Sequence, residues 1–214
     1  MSSDLEILES LQEFGTKQFS KVKKSDRNLY GKEFGKDSLT AFAKYIDPKF
    51  EDPLHIKSII HLLEEMEKGK ITRTIINMPP RRGKSQICTR IFPTWFLGRH
   101  PDKNVILLSY SDKKAARFGR WVRDCVESSK FQHVFPECKV RPDMRSAGEW
   151  QTTKEGLVLS AGLKVDSMAK VLIFLSSMIH IKTWKKPLRK PFLRRSLRTL
   201  CQSVRLVSHP QRLF

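Results

Sequence analysis

The chain has 214 residues, of which 39% are apolar, and a mean hydropathy of −0.42; this suits one ordinary domain with a core and excludes wholesale disorder. No run approaches the roughly eighteen apolar residues that a membrane-spanning helix needs, and the opening residues Met1–Glu6 carry neither the basic nor the apolar region of a secretory signal. The 41 Lys and Arg outnumber the 22 Asp and Glu by 19, a balance that favours a polyanionic partner such as nucleic acid.

In chain order, Leu5, Leu8, Leu11 and Phe14 recur at helical spacing over residues 3–15, and the polar, basic stretch from Lys17 to Lys36 reads as a linker. Ser38 is placed to cap a helix through Tyr45 that Asp47-Pro48 ends. Pro53 opens a longer helix over 54–68 with an apolar stripe of Leu54, Ile59, Ile60, Leu62, Leu63 and Met66. Thr72 to Met78 is short and β-branched, as a buried strand would be, and a Pro-Pro-Arg-Arg-Gly turn follows. A helix is predicted from Lys84 to about Leu97, a second buried strand over 104–110, and a second helix over 112–128. Residues 150–161 suggest a hairpin turning at Glu155-Gly156. Strand, helix, strand, helix predicts βαβ units and a mostly parallel sheet.

Beyond about residue 163 the order fails. Val171 to Leu175 suits a strand, but no regular period follows it. Asp166 is the last acidic residue; the 48 residues after it hold eleven Lys or Arg. The first 166 residues keep a net charge of +8, so most of the excess lies in the final quarter. Cys88, Cys125, Cys138 and Cys201 are widely spaced and form no C-x-x-C pair, which argues against a zinc ribbon or disulfide framework and fits a reducing cytosol.

The strongest chemical signal is Pro79-Pro80-Arg81-Arg82-Gly83-Lys84-Ser85, between a predicted strand and a predicted helix. A phosphate needs converging backbone N–H groups, which a tight loop entering a helix supplies. Gly83 admits close backbone approach, Lys84 reaches β- and γ-phosphates, and Ser85 Oγ completes a Mg²⁺ shell. The first glycine of G-x-x-x-x-G-K-[ST] is replaced by Met78. Such enzymes also need a carboxylate at the end of a neighbouring strand. Val171 to Leu175 instead runs into Ser176-Ser177, and no acid follows.

Phe42-Ala43-Lys44-Tyr45-Ile46, Ile75 to Ser85, Phe92-Pro93-Thr94-Trp95-Phe96-Leu97-Gly98, Ser109-Tyr110-Ser111, Phe118-Gly119-Arg120 and Trp150-Gln151-Thr152-Thr153 together resemble the large subunit of tailed-phage terminases, over residues 39–162. The family also uses a Pro-Pro-Arg-x-Gly-Lys-Ser loop. The resemblance implies a DNA-packaging motor in a bacterial host's cytoplasm, with an ATPase that drives duplex DNA into a procapsid and a metal-dependent nuclease after it. It implies ATP and Mg²⁺ as cofactors, held by Pro80, Arg81, Arg82, Gly83, Lys84 and Ser85. Ser85 would serve the metal, Arg81 or Arg82 would act as an arginine finger in cis, and His55 would lie near the adenine. Double-stranded DNA, a small subunit and a portal are the implied partners, with no role for a membrane.

The resemblance stops beyond Gly162, where relatives continue to a strand ending Asp-Asp-Pro-x-Lys and then Glu-Glu-Ala. Here the chain reads Ser177 to Pro187. Joining the third base of each codon to the first two of the next forces Asp across Met178-Ile179 and Glu across Trp184-Lys185. The other joins permit Asp-Asp-Pro-His-Lys-Asn-Met-Glu-Glu-Ala in full, and those from Arg205 to Pro210 permit Thr-Arg-Leu-Ser-Pro. A one-nucleotide slip near residue 163 accounts for both the missing acids and the basic tail.

Other features read blandly. Trp95 and Phe96 suit a core better than a ligand-stacking pair, His61 suits packing or solvent, and Arg120 and Arg123 suit a solvated face better than ATP or DNA phosphates. The histidines show no metal-ligand spacing. The expectation is therefore an α/β chain of P-loop NTPase type: an N-terminal helix and linker (1–37), the first part of a terminase-type ATPase domain with an incomplete, mostly parallel sheet (38–162), and an irregular, basic, out-of-frame tail (163–214). Its function would be the ATPase portion of a phage or prophage packaging motor. It keeps the phosphate loop but lacks the acidic strand end and the nuclease, so turnover would be impaired. A helicase-like P-loop translocase fragment, or a non-enzymatic nucleic-acid-binding protein that uses the tail, are the alternatives.

Overall fold

A computed structural model describes residues 22–72, 74–162 and, as backbone, 172–175. The helix expected over 3–15 and the rest of the tail, Cys201 included, lie outside the described residues. All described residues fall in the first of two units, 1–179; the second, 180–214, lies outside them.

The first helix, α1 (Lys24–Phe34), occupies the stretch expected to be linker. Its sequence is mostly polar, and two local features seat it. Gly31 approaches the Tyr45 ring so closely that a Cβ would collide with it, and Tyr45 Oη donates to Asn28 Oδ1 at 3.1 Å. Helix α2 (Leu39–Ile46) begins where Ser38 Oγ accepts from the Ala41 N–H at 3.3 Å, the expected cap. Helix α3 (Leu54–Glu67) follows Pro53 and buries Ile56, Ile59, Ile60 and Leu63. Gly69, in the left-handed region at φ +76°, lies just beyond its end.

The residues expected as the first strand pair with no strand among those described. Their burial alternates: Thr74, Ile76 and Met78 are partly buried, Ile75 and Asn77 exposed. The period of two was legible, but it produces no ladder here. A continuous helical run then covers α4 (Lys84–Gln86), a π-helical stretch (Ile87–Ile91) and α5 (Phe92–Arg99). The widening has a local cause. Pro93 has no N–H to return to the Thr89 carbonyl and its ring crowds that carbonyl, while the Phe92 N–H reaches back five residues to Ile87 O. Trp95 and Phe96 are fully buried, and Trp95 Nε1 donates to Gly35 O at 3.0 Å, which ties α5 to the end of α1.

Strand β1 (Val105–Ser109) leads into α6 (Asp112–Val126), close to the predicted bounds. A short α7 (Ser129–Val134) and strand β2 (Val140–Arg145) follow, then β3 (Glu149–Thr152), β4 (Leu157–Gly162) and β5 (Leu172–Leu175). The sheet order is β2-β3-β4-β1-β5. Among the described strands β1 and β4 are the one parallel pair of neighbours, from Val105 opposite Val158 to Ser109 opposite Gly162; β2–β3, β3–β4 and β1–β5 are antiparallel. The expectation of a mostly parallel sheet is therefore wrong. Among the described strands, the long crossover through α6 and α7 is the connection that returns a strand, β2, in the same sense as β1. The β3–β4 hairpin turns at Glu155 (φ +69°) and Gly156 as predicted, and β2 extends it as an antiparallel meander.

One apolar core joins the helices to the sheet, with Phe42, Ile60, Ile87, Trp95, Val122, Phe131 and Trp150 among its members. Gly119 lets α6 approach β4: a Cβ there would strike Ser160 Oγ. Trp150 Nε1 donates to Gly119 O at 3.2 Å and closes the same contact from β3. Among the described residues no helix is long and apolar enough to cross a membrane.

Candidate functional site

Residues 74–79 deliver the chain to a turn at Pro80, Arg81 and Arg82 that is exposed to solvent. Two residues of the turn are left-handed, Arg81 at φ +63° and Gly83 at φ +83°. An L side chain resists that region, so the conformation favours glycine at 83, and the arginine at 81 holds strain of the kind that gathers at functional turns. The chain enters the helical run directly after Gly83, whose carbonyl accepts the N–H groups of Gln86 and Ile87 at 3.0 and 3.1 Å. The Lys84 and Ser85 N–H groups, ahead of these, have no preceding helical turn to bond to.

Two tertiary contacts brace this turn. Ile56, in the first turn of α3, underlies Gly83 closely enough that a Cβ at 83 would meet its Cδ1 at 3.2 Å. Gln86 Nε2 donates to Asp47 Oδ2 at 2.9 Å, tying the start of the run to the end of α2. Sequence patterning had no signal for either contact, because each joins segments tens of residues apart.

All six predicted loop residues sit in this one turn. Pro80, Arg81 and Arg82 are exposed; Gly83, Lys84 and Ser85 are partly buried. Lys84 enters none of the ion pairs among the described residues. It approaches Cys88 one turn on, where its charge favours the thiolate slightly; burial dominates and pushes that thiol up to about 12. Thr89 Oγ1 donates to Ser85 O, which leaves the Ser85 hydroxyl outside that bond. A left-handed glycine, a following Lys and a following Ser at the start of a helical run suit a polyphosphate with a divalent cation: backbone N–H for oxygens, ammonium for charge, hydroxyl for metal.

His55 is exposed beside Ile56, and Leu54 next to it is 82% exposed, an unusual setting for a leucine. The first turn of α3 thus offers an imidazole and an aliphatic surface next to the residue that underlies Gly83. Arg120 and Arg123 part company. Arg120 is exposed, whereas Arg123 is spent on Arg145 O at 2.8 Å and on Asp124. His61 is exposed. At the end of β1 the Ser109 hydroxyl is buried without a partner, and Asp112 Oδ1 accepts the Gly162 N–H at 2.8 Å.

Comparison with family models, with curated proteins and with solved structures returned no match.

Proposed function

We propose that residues 79–85 form a triphosphate-binding loop, and that the chain is the ATPase portion of a DNA-packaging motor of the terminase large-subunit type with an out-of-frame tail. The observation that carries the proposal is the left-handed Gly83 immediately before Lys84-Ser85, braced by Ile56 at the mouth of a helical run. In this reading the loop N–H groups and Lys84 hold the β- and γ-phosphates of ATP, Ser85 serves Mg²⁺, and Arg81 or Arg82 faces the phosphoryl group. Leu54 and His55 offer a surface to the base. Residues 74–78, which pair with no strand among those described, are where a P-loop NTPase-type sheet would continue. Residues 163–214 supply no carboxylate beyond Asp166, so nucleotide is bound weakly and turned over at or near background.

The nucleotides across codons 160–187 test the out-of-frame reading. The shifted frame is expected to give Asp-Asp-Pro-His-Lys-Asn-Met-Glu-Glu-Ala across codons 177–187. A stop codon or unrelated residues in that frame overturn it. An ATP hydrolysis rate well above background that Lys84→Ala abolishes would contradict the impaired state.

A further inference from the structure

Helix α6 carries a row of cations that no ion pair among the described residues uses. Lys113, Arg117 and Arg120 stand at i, i+4 and i+7, within about 60° of one another around the helix at 100° per residue. All three are exposed. None enters an ion pair among the described residues. The acids on the same helix are already engaged: Asp112 accepts the Gly162 N–H, and Asp124 pairs with Arg123. Like charges one turn apart repel and destabilise an isolated helix by a few tenths of a kcal/mol per pair, so the row is a standing cost to the fold.

The helix that bears the row is a rigid platform. Its other face buries Ala115, Phe118, Gly119, Val122, Cys125 and Val126. Its approach to the sheet is fixed by Gly119 against Ser160 on one side and by the Asp112–Gly162 bond at its start. Just ahead of it, Tyr110 is 46% exposed with Lys114 Nζ 4.9 Å from its ring centre, so a fourth cation borders the row.

We infer that the outer face of α6 binds the phosphate backbone of duplex nucleic acid through Lys113, Arg117 and Arg120. The three residues span about 10 Å of helix axis at 1.5 Å per residue, and one strand of a duplex presents a phosphate every ~3.4 Å of its own axis. The row therefore spans about three phosphate intervals, so its three cations fall within reach of about four successive phosphates. A lipid surface fits poorly, because the apolar side of α6 is turned into the core and cannot enter a bilayer interface. A single strand fits poorly: among the described residues Tyr110 is the exposed aromatic ring beside the row, while Trp121, at i+4 from Arg117, packs against the core under Arg90, and base stacking uses a series of open rings. The choice of duplex as partner rests on the packaging-motor reading above; the cation row does not depend on the nucleotide loop.

The test is fluorescence anisotropy of a labelled 30-base-pair random-sequence duplex with the full chain, titrated over a range of salt. The variant Lys113→Gln/Arg117→Gln/Arg120→Gln is compared with Lys49→Gln/Lys139→Gln/Lys154→Gln, which removes the same charge from exposed positions elsewhere. The basic tail adds the same salt dependence to both. The α6 variant is expected to lower the slope of log K against log salt by about 2–3, at about 0.9 per phosphate contact, and the control by less than 1. Equal changes in the two variants overturn the inference. So does displacement of the duplex by polyglutamate as effectively as by unlabelled duplex, which marks an acidic-protein surface instead. Lys84→Ala is expected to leave duplex binding unchanged, so loss of nucleotide binding and loss of this surface are separate failures.

Discussion

Replacing Gly83 by alanine separates the shape of the loop from its mere presence. The residue sits at φ +83°, where an L side chain costs about 1–2 kcal/mol. Alanine recovers about 0.4–1 kcal/mol by restricting the unfolded chain. Its Cβ would also lie 3.2 Å from Ile56 Cδ1, so that side chain must shift by a few tenths of an ångström. The net loss of global stability is about 1 kcal/mol. If the loop relieves the strain by leaving the left-handed conformation, its N–H groups turn away and nucleotide affinity falls by about 1–2 kcal/mol, roughly 5- to 30-fold. Gly69 provides the control. It has nearly the same backbone at φ +76° with nothing within 4 Å of its Cβ position, and it lies roughly 20 Å from Ile56 along α3 at 1.5 Å per residue. Urea unfolding and titration with a fluorescent ATP analogue are run on both variants. Gly69→Ala is expected to lose comparable stability and no affinity. Unchanged affinity in Gly83→Ala, or an equal loss in Gly69→Ala, refutes the view that this backbone conformation holds phosphate.

Three further outcomes follow from the packing. Gly119→Ala forces a methyl against Ser160 and the Ala147 carbonyl and is expected to cost about 1–3 kcal/mol; Ser160→Gly in the same chain should recover part of that in urea unfolding, and no recovery would place the strain elsewhere. Burial pushes Cys88, Cys125 and Cys138 up to about 12 from an ordinary 9.0. Unfolded thiols lose their protons near 9 while folded ones keep theirs, so stability should fall as pH rises above 9, by about 1.4 kcal/mol per pH unit for each thiol. Unfolding curves from pH 8 to 10.5 check this, and a flat profile contradicts it. The Glu67 carboxylate, 5% exposed, receives Arg99 Nε at 2.9 Å and His100 Nε2 at 2.7 Å. Glu67→Ala should therefore cost about 2 kcal/mol, read as a lowered midpoint in the same unfolding assay.

Sequence patterning could read what is local. Ser38 announced α2, the apolar stripe announced α3 although its first member, Leu54, is 82% exposed, the apolar run announced β1, and Glu155-Gly156 announced the hairpin. It failed where the deciding contact is distant. Helix α1 depends on the Tyr45 ring over Gly31, which its own polar residues do not reveal. Residues 74–78 have the alternation of a strand, yet alternation says nothing about whether a partner strand is present. The sense of the sheet was missed for the same reason: strand patterns fix a face, and only pairing fixes direction. The π-helical turn before Pro93 was implicit in the proline but hidden in a good helical period. At the candidate site the loop chemistry was legible from Gly83-Lys84-Ser85, whereas the Ile56 floor and the Asp47–Gln86 tether emerged only from the fold.

Isothermal titration of Mg²⁺-ATP into the full chain and into Lys84→Ala tests the central claim most directly. Lys84 touches no carboxylate among the described ion pairs, so its removal should leave the unfolding midpoint in place. The account predicts weak saturable binding to the chain and none to the variant. Identical isotherms for the two, whether both bind or neither does, would contradict it.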